Sequence, residues 1–298
     1  MAILMLLGAG ASFGSEPRRE VVTPPLGAGL FKALEALGGE ASNVPDEIKE
    51  VFRDDFETGM ALYFEKHSDR MIKFNRELSY FLSGFSPSDS SSYVQLLSEF
   101  GRRNIVFSSL NYDVMLEEAA AKIGLGFSYD YSRVYGSIRI IKPHGSVNVW
   151  PALPGFSVKN NTISLNTCRT FIDGPVELLT RDAVRARCLE ESDLYPSIAM
   201  YAKGKSVSIC PRFTEEQQNN FALACRRASK IITLGVRVVP EDNHIWQPIQ
   251  KSAAELIYFG DHNDKPALDA WSYNYGKKNV KYVEGYFEQC LSFMKSEI

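Results

Sequence analysis

The spacing of apolar residues predicts two kinds of structure in the first hundred residues. Residues 2–7 form a continuous apolar run, which is typical of a strand buried on both faces of a parallel sheet. A helical pattern follows at about residues 26–37. From residue 40 to residue 101 the apolar positions keep helical spacing without a strand signal. We therefore predict a helical insertion, residues 40–101, behind the first strand.

Strand and helix patterns alternate through the rest of the chain. Helical patterns cover residues 113–123, 214–229, 243–254 and 284–296, and Thr214-Glu-Glu-Gln217 has the capping-box pattern of a helix start. Alternation of this kind is typical of an α/β fold with a Rossmann-like, doubly wound parallel sheet. We predict one such domain over residues 1–298, whereas residues 150–206 have a mixed pattern. Apolar runs predict its later strands at residues 104–109, 137–141, 231–234, 256–259 and 280–283.

Composition narrows the class of protein only a little. The 298 residues include 33 Lys and Arg against 36 Asp and Glu, a formal charge of −3, so no general basic field attracts nucleic acid. The apolar run at residues 2–7 is too short to span a membrane and lacks the basic flank of a signal peptide. We expect a cytoplasmic protein that binds neither membrane nor nucleic acid directly.

The cysteine spacing argues against a structural metal. No Cys-x-x-Cys pair is present, so a thiolate zinc site of the usual spacing is not expected. An odd number of cysteines in a chain of this size also argues against a disulfide framework. The five cysteines are Cys168, Cys188, Cys210, Cys225 and Cys290.

The first candidate site follows the first predicted strand. Ligands of doubly wound sheets bind beyond the carboxyl ends of the strands. A small-residue turn there lets the backbone approach a pyrophosphate, and amide groups at a helix start attract its charge. The alternative is a tight turn with no ligand. This glycine turn consists of Gly8, Ala9, Gly10, Ala11 and Ser12.

Polar side chains follow the next two strands. The Asn111 carboxamide is suited to orient a substrate hydroxyl or a water, although Asn111 and Asp113 also suit a turn and a helix cap. His144, followed by Gly145, places one imidazole at a strand end, where it can act as a base near neutral pH or serve a structural role.

The last two strand ends offer weaker candidates. Gly235 ends a strand and Arg237 could pair with a phosphate, while Asp242 or Asn243 could cap the next helix. Asp261 could accept hydrogen bonds from ribose hydroxyls, or it could belong to a polar surface turn.

In this order and at these strand ends, the motifs resemble the sirtuin-like family of NAD-consuming proteins. The matching residues are the glycine turn, Asn111-Tyr112-Asp113 and His144-Gly145, and Gly235 and residues 242–244 resemble the later sheet elements. The resemblance extends from residue 2 to about residue 290. It does not include the helical insertion or residues 150–206 in any detail.

The resemblance implies that NAD is a substrate, and it implies a role for each motif. The glycine turn would hold the pyrophosphate, and Asn111 and Asp113 would hold the nicotinamide ribose. Asn111 would also orient a water, and His144, beside Gly145, would be the base. The adenosine half and its phosphates would meet Gly235, Arg237 and Asp261.

Three departures from the family pattern refine this expectation. The zinc-binding cysteine pairs of the deacylating members are missing, and their Phe-Arg element has no clear equivalent, although Phe13, Arg18 and Arg19 lie nearby. These two departures point to a metal-free branch that resembles bacterial antiphage NAD hydrolases. The serine usually found after the later glycine is replaced around Val236-Arg237, which leaves the phosphate contacts open.

The resemblance therefore implies an NAD glycohydrolase that releases nicotinamide and ADP-ribose in antiphage defence. Protein deacylation and ADP-ribosyl transfer are alternatives that would use the same site, and a sensor that binds NAD without turnover is a third. A constitutively active NAD hydrolase would kill its own cell. We therefore expect the activity to be gated by homo-oligomerisation or by an activating partner protein.

Overall fold

The computed structural model describes residues 2–17, 22–132, 135–152, 172–199 and 209–298. Cys168, Arg18 and Arg19 lie outside these described residues. The apolar runs predicted as strands are strands of the sheet in the structure. The described strands are β1 (Ile3–Leu7), β2 (Ile105–Ser109), β3 (Gly126–Ser128), β4 (Ser137–Ile141), β5 (Val149–Pro151), β6 (Val176–Leu178), β7 (Lys230–Leu234), β8 (Glu255–Gly260) and β9 (Val280–Glu284).

Seven of these strands form one parallel sheet with the order β3-β4-β2-β1-β7-β8-β9. The chain builds the sheet outward from β1 on one side and then returns to β1 to build the other side. The order therefore reverses between β1 and β7, which is the point where doubly wound sheets bind ligands. The predicted Rossmann-like α/β fold is confirmed. Strands β5 and β6 form a separate antiparallel pair.

Helices connect the strands of the main sheet. Within the described residues they are α1 (Ala9–Phe13), α2 (Gly27–Glu35), α3 (Asp46–Asp54), α4 (Phe56–Lys66), α5 (Met71–Leu82), α6 (Ser92–Phe100), α7 (Met115–Lys122), α8 (Arg181–Leu189), α9 (Pro211–Arg227), α10 (Asn243–Lys251), α11 (Asp264–Tyr275) and α12 (Phe287–Glu297). None of them is long and apolar enough to cross a lipid bilayer.

The two faces of the sheet bury two different sets of helices. Side chains alternate between the faces along a strand, so Ile3, Met5 and Leu7 point to one side and Leu4 and Leu6 to the other. The first side packs against α2 to α7 and α12. The second side packs against α9, α10 and α11. Both faces are covered, as the continuous apolar character of β1 requires.

The helical insertion supplies α3 to α6, which lie between β1 and β2 in the chain. Its core is aromatic: the Phe52 ring stacks on Phe31 of α2 at a centroid distance of 4.3 Å and on Phe74 of α5 at 5.5 Å. All three rings are buried. Burial of this area attaches the insertion firmly to the sheet through α2. The assignment of residues 1–298 to one domain stays a prediction.

The predicted start of α9 is wrong. The helix begins at Pro211, after Cys210 in a left-handed conformation with φ +48°, so Thr214 already lies inside its first turns. The Thr214 hydroxyl contacts the Ser197 hydroxyl at 3.2 Å, and Gln217 accepts a hydrogen bond from the Lys142 amide at 3.0 Å. Both side chains are recruited by neighbouring loops, and neither caps the helix.

Candidate active site

The glycine turn and the loop after β7 meet at the switch point of the sheet. The Gly8 amide donates a hydrogen bond to the Leu234 carbonyl oxygen, and the Gly10 amide donates one to the Gly235 carbonyl oxygen; both distances are 3.0 Å. Gly235 has φ +63°, and a Cβ atom on it would lie 2.2 Å from the Ala11 amide nitrogen. A Cβ on Gly8 would lie 2.2 Å from the Gly235 carbonyl oxygen. These glycines are thus required for two loops to pack backbone against backbone.

The rest of the glycine turn forms the short helix α1, with Ala9 exposed at its start. Within this helix, Ala11 and Ser12 are buried. The Ser12 hydroxyl lies 3.0 Å from the Tyr93 hydroxyl, which comes from α6 of the helical insertion. The insertion therefore contributes to the wall of the site.

Asn111 follows β2 and lies beside the glycine turn. Its Nδ2 atom donates to the Gly8 carbonyl oxygen at 2.9 Å and to the Ser12 Oγ atom at 2.8 Å. These two bonds fix the orientation of the carboxamide. Only 8% of Asn111 is exposed, so its polar head lies in a nearly dry environment, in which hydrogen bonds are stronger than in water.

Asp113 lies in a buried polar network that the sequence does not reveal. Its carboxylate accepts a hydrogen bond from the Met115 amide at 3.1 Å. Its backbone carbonyl oxygen accepts a hydrogen bond from the Lys142 ammonium at 2.8 Å. Burial raises the pKa of Asp113, and the charge of Lys142 counteracts part of this rise.

Lys142 is fully buried, and its Nζ atom lies 3.5 Å from Oε1 of Glu117. Glu117 in turn accepts a hydrogen bond from the Tyr129 hydroxyl. A lysine directly after an apolar strand is the one sequence signal of this network.

His144 follows β4, and residues of two other loops contact His144 or its neighbours. Gly145 has φ +77°, and a Cβ there would lie 2.0 Å from the Ser197 carbonyl oxygen, because residues 144–146 pair with residues 197–199. The Nε2 atom of His144 lies 3.0 Å from Oδ2 of Asp242, the residue that directly precedes α10. The second oxygen of Asp242 lies 2.9 Å from Nδ1 of His244.

These contacts shift the pKa values of His144 and Asp242 in opposite directions. Burial lowers the pKa of His144, but the hydrogen bond and charge of Asp242 raise it by more, and Glu57 and the Leu110 backbone add to the rise. The pKa of His144 is therefore raised. Burial raises the pKa of Asp242, whereas His144 and His244 lower it, to about 2 in total. Asp242 is thus an anion at any pH near neutrality.

The same three residues could in principle accept a cation. One ligand atom each from His144, Asp242 and His244 lies within 4.8 Å of the others, and zinc accepts such ligand types. The carboxylate oxygens, however, already lie at hydrogen-bond distance from both rings. The ligands of tetrahedral zinc lie roughly 3.3 Å apart, so the spread of 4.8 Å is too wide without rearrangement. The expectation that the protein is metal-free stays a prediction.

The remaining predicted residues lie at the periphery of this group. Arg237 is exposed and pairs with Asp55 of the helical insertion, with 2.8 Å between Nη2 and Oδ2. Asp55 also caps α4 through the Thr58 amide at 2.9 Å.

Asp261 follows β8, where its carboxylate accepts hydrogen bonds from the Asn263 amide at 2.7 Å and from the Tyr286 hydroxyl at 3.4 Å. Glu57 and Lys142 are site neighbours that the sequence does not point to, whereas Asp242 and His244 lie in the segment that resembles a later sheet element and were not predicted as partners of His144.

Two open clefts lie away from the predicted site residues. One, of about 470 Å³, is lined by residues that include Tyr80, Phe81 and Arg185, and the other, of about 720 Å³, mainly by residues of α5, of α8 and of the chain after α8. None of the predicted site residues lines either cleft. Asn111 and His144 are largely buried, with exposed fractions of 8% and 9%.

Comparisons with known proteins find similarity among the solved structures. No family model matches the chain, and no curated protein matches it. Among solved structures, the chain is similar to a mutant of a Sir2 homologue in complex with ADP-ribose. The two share 14% identity and a TM-score of 0.44, over 98% of this chain and 93% of that one. The roles of the site residues therefore have to be argued from their own geometry.

Proposed function

We propose that this protein is an NAD glycohydrolase that cleaves the bond between nicotinamide and ribose. The observation that carries the proposal is that Asn111, which is hydrogen-bonded to the glycine turn, and His144 lie at the ends of neighbouring strands. They follow adjacent strands, β2 and β4, and the Leu110 backbone that precedes Asn111 contacts His144. An oriented amide and an imidazole at the switch point of a doubly wound sheet suit hydrolysis of a dinucleotide.

For this reaction the protein mainly has to position the ribose and the attacking water and to supply a base. The bond from C1′ of the ribose to the nicotinamide nitrogen breaks, and the bonding electrons neutralise the cationic ring, so no strong acid is needed. The transition state resembles an oxocarbenium ion. A water attacks C1′ and loses a proton, so NAD and water give nicotinamide, ADP-ribose and one proton.

Two side chains would carry this chemistry. Both hydrogen bonds of Asn111 use Nδ2, so its Oδ1 atom is the acceptor that it would offer to the water or to a ribose hydroxyl. His144 would take the proton. Asp113 and Gly145 would border the nicotinamide ribose, Gly8 to Ser12 the pyrophosphate, and Gly235, Arg237 and Asp261 the adenosine half.

The burial of the site supports gated activity. Asn111 and His144 are about nine-tenths buried, so a movement of neighbouring segments would open them further to a dinucleotide. We propose that oligomerisation or a partner protein drives this movement, as the resemblance to antiphage NAD hydrolases implies. The contacts of Ser12 with Tyr93 and of Arg237 with Asp55 make the helical insertion the candidate for receiving the signal.

The test is an NAD-consumption assay with identification of the products. We expect the full chain to release free ADP-ribose, either as purified protein or in cells challenged by phage. Asn111→Ala and His144→Ala should abolish the reaction while leaving the circular dichroism spectrum unchanged. Asn43→Ala and His67→Ala, which truncate the same residue types in the helical insertion, should keep it. Full activity of both site variants would contradict the proposal.

The products also separate the alternatives. O-acyl-ADP-ribose in the presence of an acylated peptide would indicate deacylation, and ADP-ribose attached to protein would indicate transfer. Calorimetry that detects tight NAD binding without turnover under any condition would indicate a sensor.

A further inference from the structure

Lys142 is a cation that is buried away from solvent. It directly follows β4, and none of it is exposed. Its Nζ atom donates a hydrogen bond to the backbone carbonyl oxygen of Asp113 at 2.8 Å and lies 3.5 Å from Oε1 of Glu117. A buried ammonium is costly to desolvate unless such partners surround it. A position that only had to fill the core would avoid this cost with an apolar residue.

The network around Lys142 holds two carboxylates, those of Asp113 and Glu117, which are 6% and 3% exposed. Glu117 has a second partner, because its Oε1 atom accepts a hydrogen bond from the Tyr129 hydroxyl at 2.8 Å. Burial raises the pKa of Asp113 and the like charge of Glu117 adds to the rise, whereas the charge of Lys142 lowers this pKa. Lys142 therefore favours the ionised form of Asp113 against both burial and Glu117.

Asp113 connects Lys142 to the glycine turn. Its carboxylate accepts a hydrogen bond from the Met115 amide at 3.1 Å and another from the Ser12 hydroxyl. The Ser12 Oγ atom in turn accepts a hydrogen bond from Nδ2 of Asn111 at 2.8 Å. The segment after β2 is thus held by the Asn111 side chain, by the Asp113 carboxylate and, through Lys142, by the Asp113 backbone.

We propose that Lys142 is the positioning residue for the part of the site that holds the nicotinamide ribose: it fixes the Asp113 backbone and places a positive charge beside the Asp113 carboxylate. This inference rests on the proposed NAD hydrolysis, in which Asp113 borders that ribose. An ionised carboxylate only accepts hydrogen bonds, which suits it to bind ribose hydroxyls. Lys142 acts only through Asp113 and does not meet the substrate.

The kinetic test needs a variant that removes the charge of Lys142 and still folds. Lys142→Met alone would leave Glu117 as a buried carboxylate without its cation, which is strongly destabilising. The test variant therefore combines Lys142→Met with Glu117→Gln, so that two neutral side chains of similar size replace the ion pair. Glu117→Gln alone is the matched control, because it changes the same network and keeps the contact between Lys142 and Asp113.

We expect Glu117→Gln to keep kcat/KM for NAD within about threefold of wild type. The double variant should have a kcat/KM about 100-fold below that of Glu117→Gln, because the ribose loses a fixed partner. Urea unfolding and circular dichroism confirm that both chains are folded. Equal kcat/KM values in the two variants would overturn the inference and would leave Lys142 only as the counter-ion of Glu117.

A second measurement does not depend on turnover. The Met115 amide donates to the Asp113 carboxylate, so its nuclear magnetic resonance signal moves when Asp113 takes up a proton. The titratable groups that face Asp113 are Lys142 after β4, Glu117 from α7 and Tyr93 from α6. We expect an ionised Asp113 at pH 7 in the wild type, and a transition at higher pH in the double variant than in Glu117→Gln. A protonated Asp113 at pH 7 in the wild type, or equal transitions in the two variants, would overturn the inference.

The two measurements also separate this inference from the proposed reaction. If the wild type consumes no NAD while the Met115 signal behaves as expected, the proposed reaction fails and the positioning stands. If NAD is consumed and the Met115 signal does not respond to the loss of Lys142, the reaction stands and the positioning fails.

Discussion

Nε2 of His144 lies 3.0 Å from Oδ2 of Asp242, although their strands, β4 and β7, are separated in the sheet by β2 and β1. Three strand spacings amount to roughly 14 Å. The loops after β4 and β7 must therefore reach toward each other over the ends of the two central strands. The glycine turn after β1 and Asn111 after β2 lie at those ends, so the loop pair closes over the residues proposed to act on NAD.

The pH dependence of stability should report on this pair. The raised pKa of His144 contributes stability that is complete below its ordinary value of 6.5 and is lost as the pH rises through the raised value. The lowered pKa of Asp242 contributes stability that is complete above 3.8 and is lost as the pH falls toward 2. We therefore expect Asp242→Asn to destabilise the protein more at about pH 5.5 than at about pH 9. Urea unfolding at both pH values tests this, and an equal loss at both would contradict it.

The contact between the glycine turn and the β7 loop should make Gly235 intolerant of any side chain. Gly235→Ala should lower the free energy of unfolding by about 2–4 kcal/mol, because the strained φ adds to a collision with the Ala11 amide. Gly276→Ala is the matched control. It has a similar φ of +70° with open space around it, and should cost only about 1 kcal/mol. Equal losses in chemical denaturation would show that the close approach is unimportant.

The Tyr93 hydroxyl should matter to the proposed activity more than to the fold. Tyr93→Phe removes the partner of Ser12 and should cost about 1 kcal/mol of stability while lowering NAD turnover by about 10- to 100-fold. Tyr63→Phe, which removes a buried hydroxyl bonded to Glu40 at 2.7 Å, should cost as much stability or more and leave turnover unchanged. Parallel losses of activity in both variants would point to a general effect of the helical insertion.

Arg237 can be tested against its own ion-pair partner. If Arg237 binds a substrate phosphate, Arg237→Ala should raise KM about tenfold with little change in kcat. Asp55→Ala breaks the same exposed pair and also the cap of α4, so it should cost about 1 kcal/mol of stability without raising KM. A similar rise of KM in both variants would assign the effect to the ion pair itself.

Six of the described strands, β1, β2, β4, β7, β8 and β9, were predictable because they are apolar runs in the sequence, whereas the three-residue strands β3, β5 and β6 are too short to leave such a run. Helix α11 was not predicted, because only Leu268 and Trp271 are buried along it and the chain before it is strongly polar. The start of α9 was misplaced because a capping pattern in the sequence does not reveal that Thr214 is buried against Ser197.

The site was predictable to the extent that it follows strand order. The positions of Asn111 and His144 at adjacent strand ends follow from the alternation of strands and helices, and the structure places them there. The partnership of His144 with Asp242 depends on the course of two loops whose residues lie 98 positions apart. Local sequence patterns hold no information on such a contact, so the sequence marks Asp242 only as a possible helix cap in a segment that resembles a later sheet element, not as a partner of His144.

Tyr93 has a consequence for how small this protein can become. The residue belongs to the helical insertion, yet its hydroxyl meets Ser12, and Ser12 in turn holds the Asn111 carboxamide. A shortened protein that kept the whole sheet but lacked residues 40–101 would have every strand-end residue in its sequence and still present Asn111 without this support. The smallest competent unit therefore includes α6 of the helical insertion, and grafting the strand-end motifs onto a bare sheet would not transfer the activity.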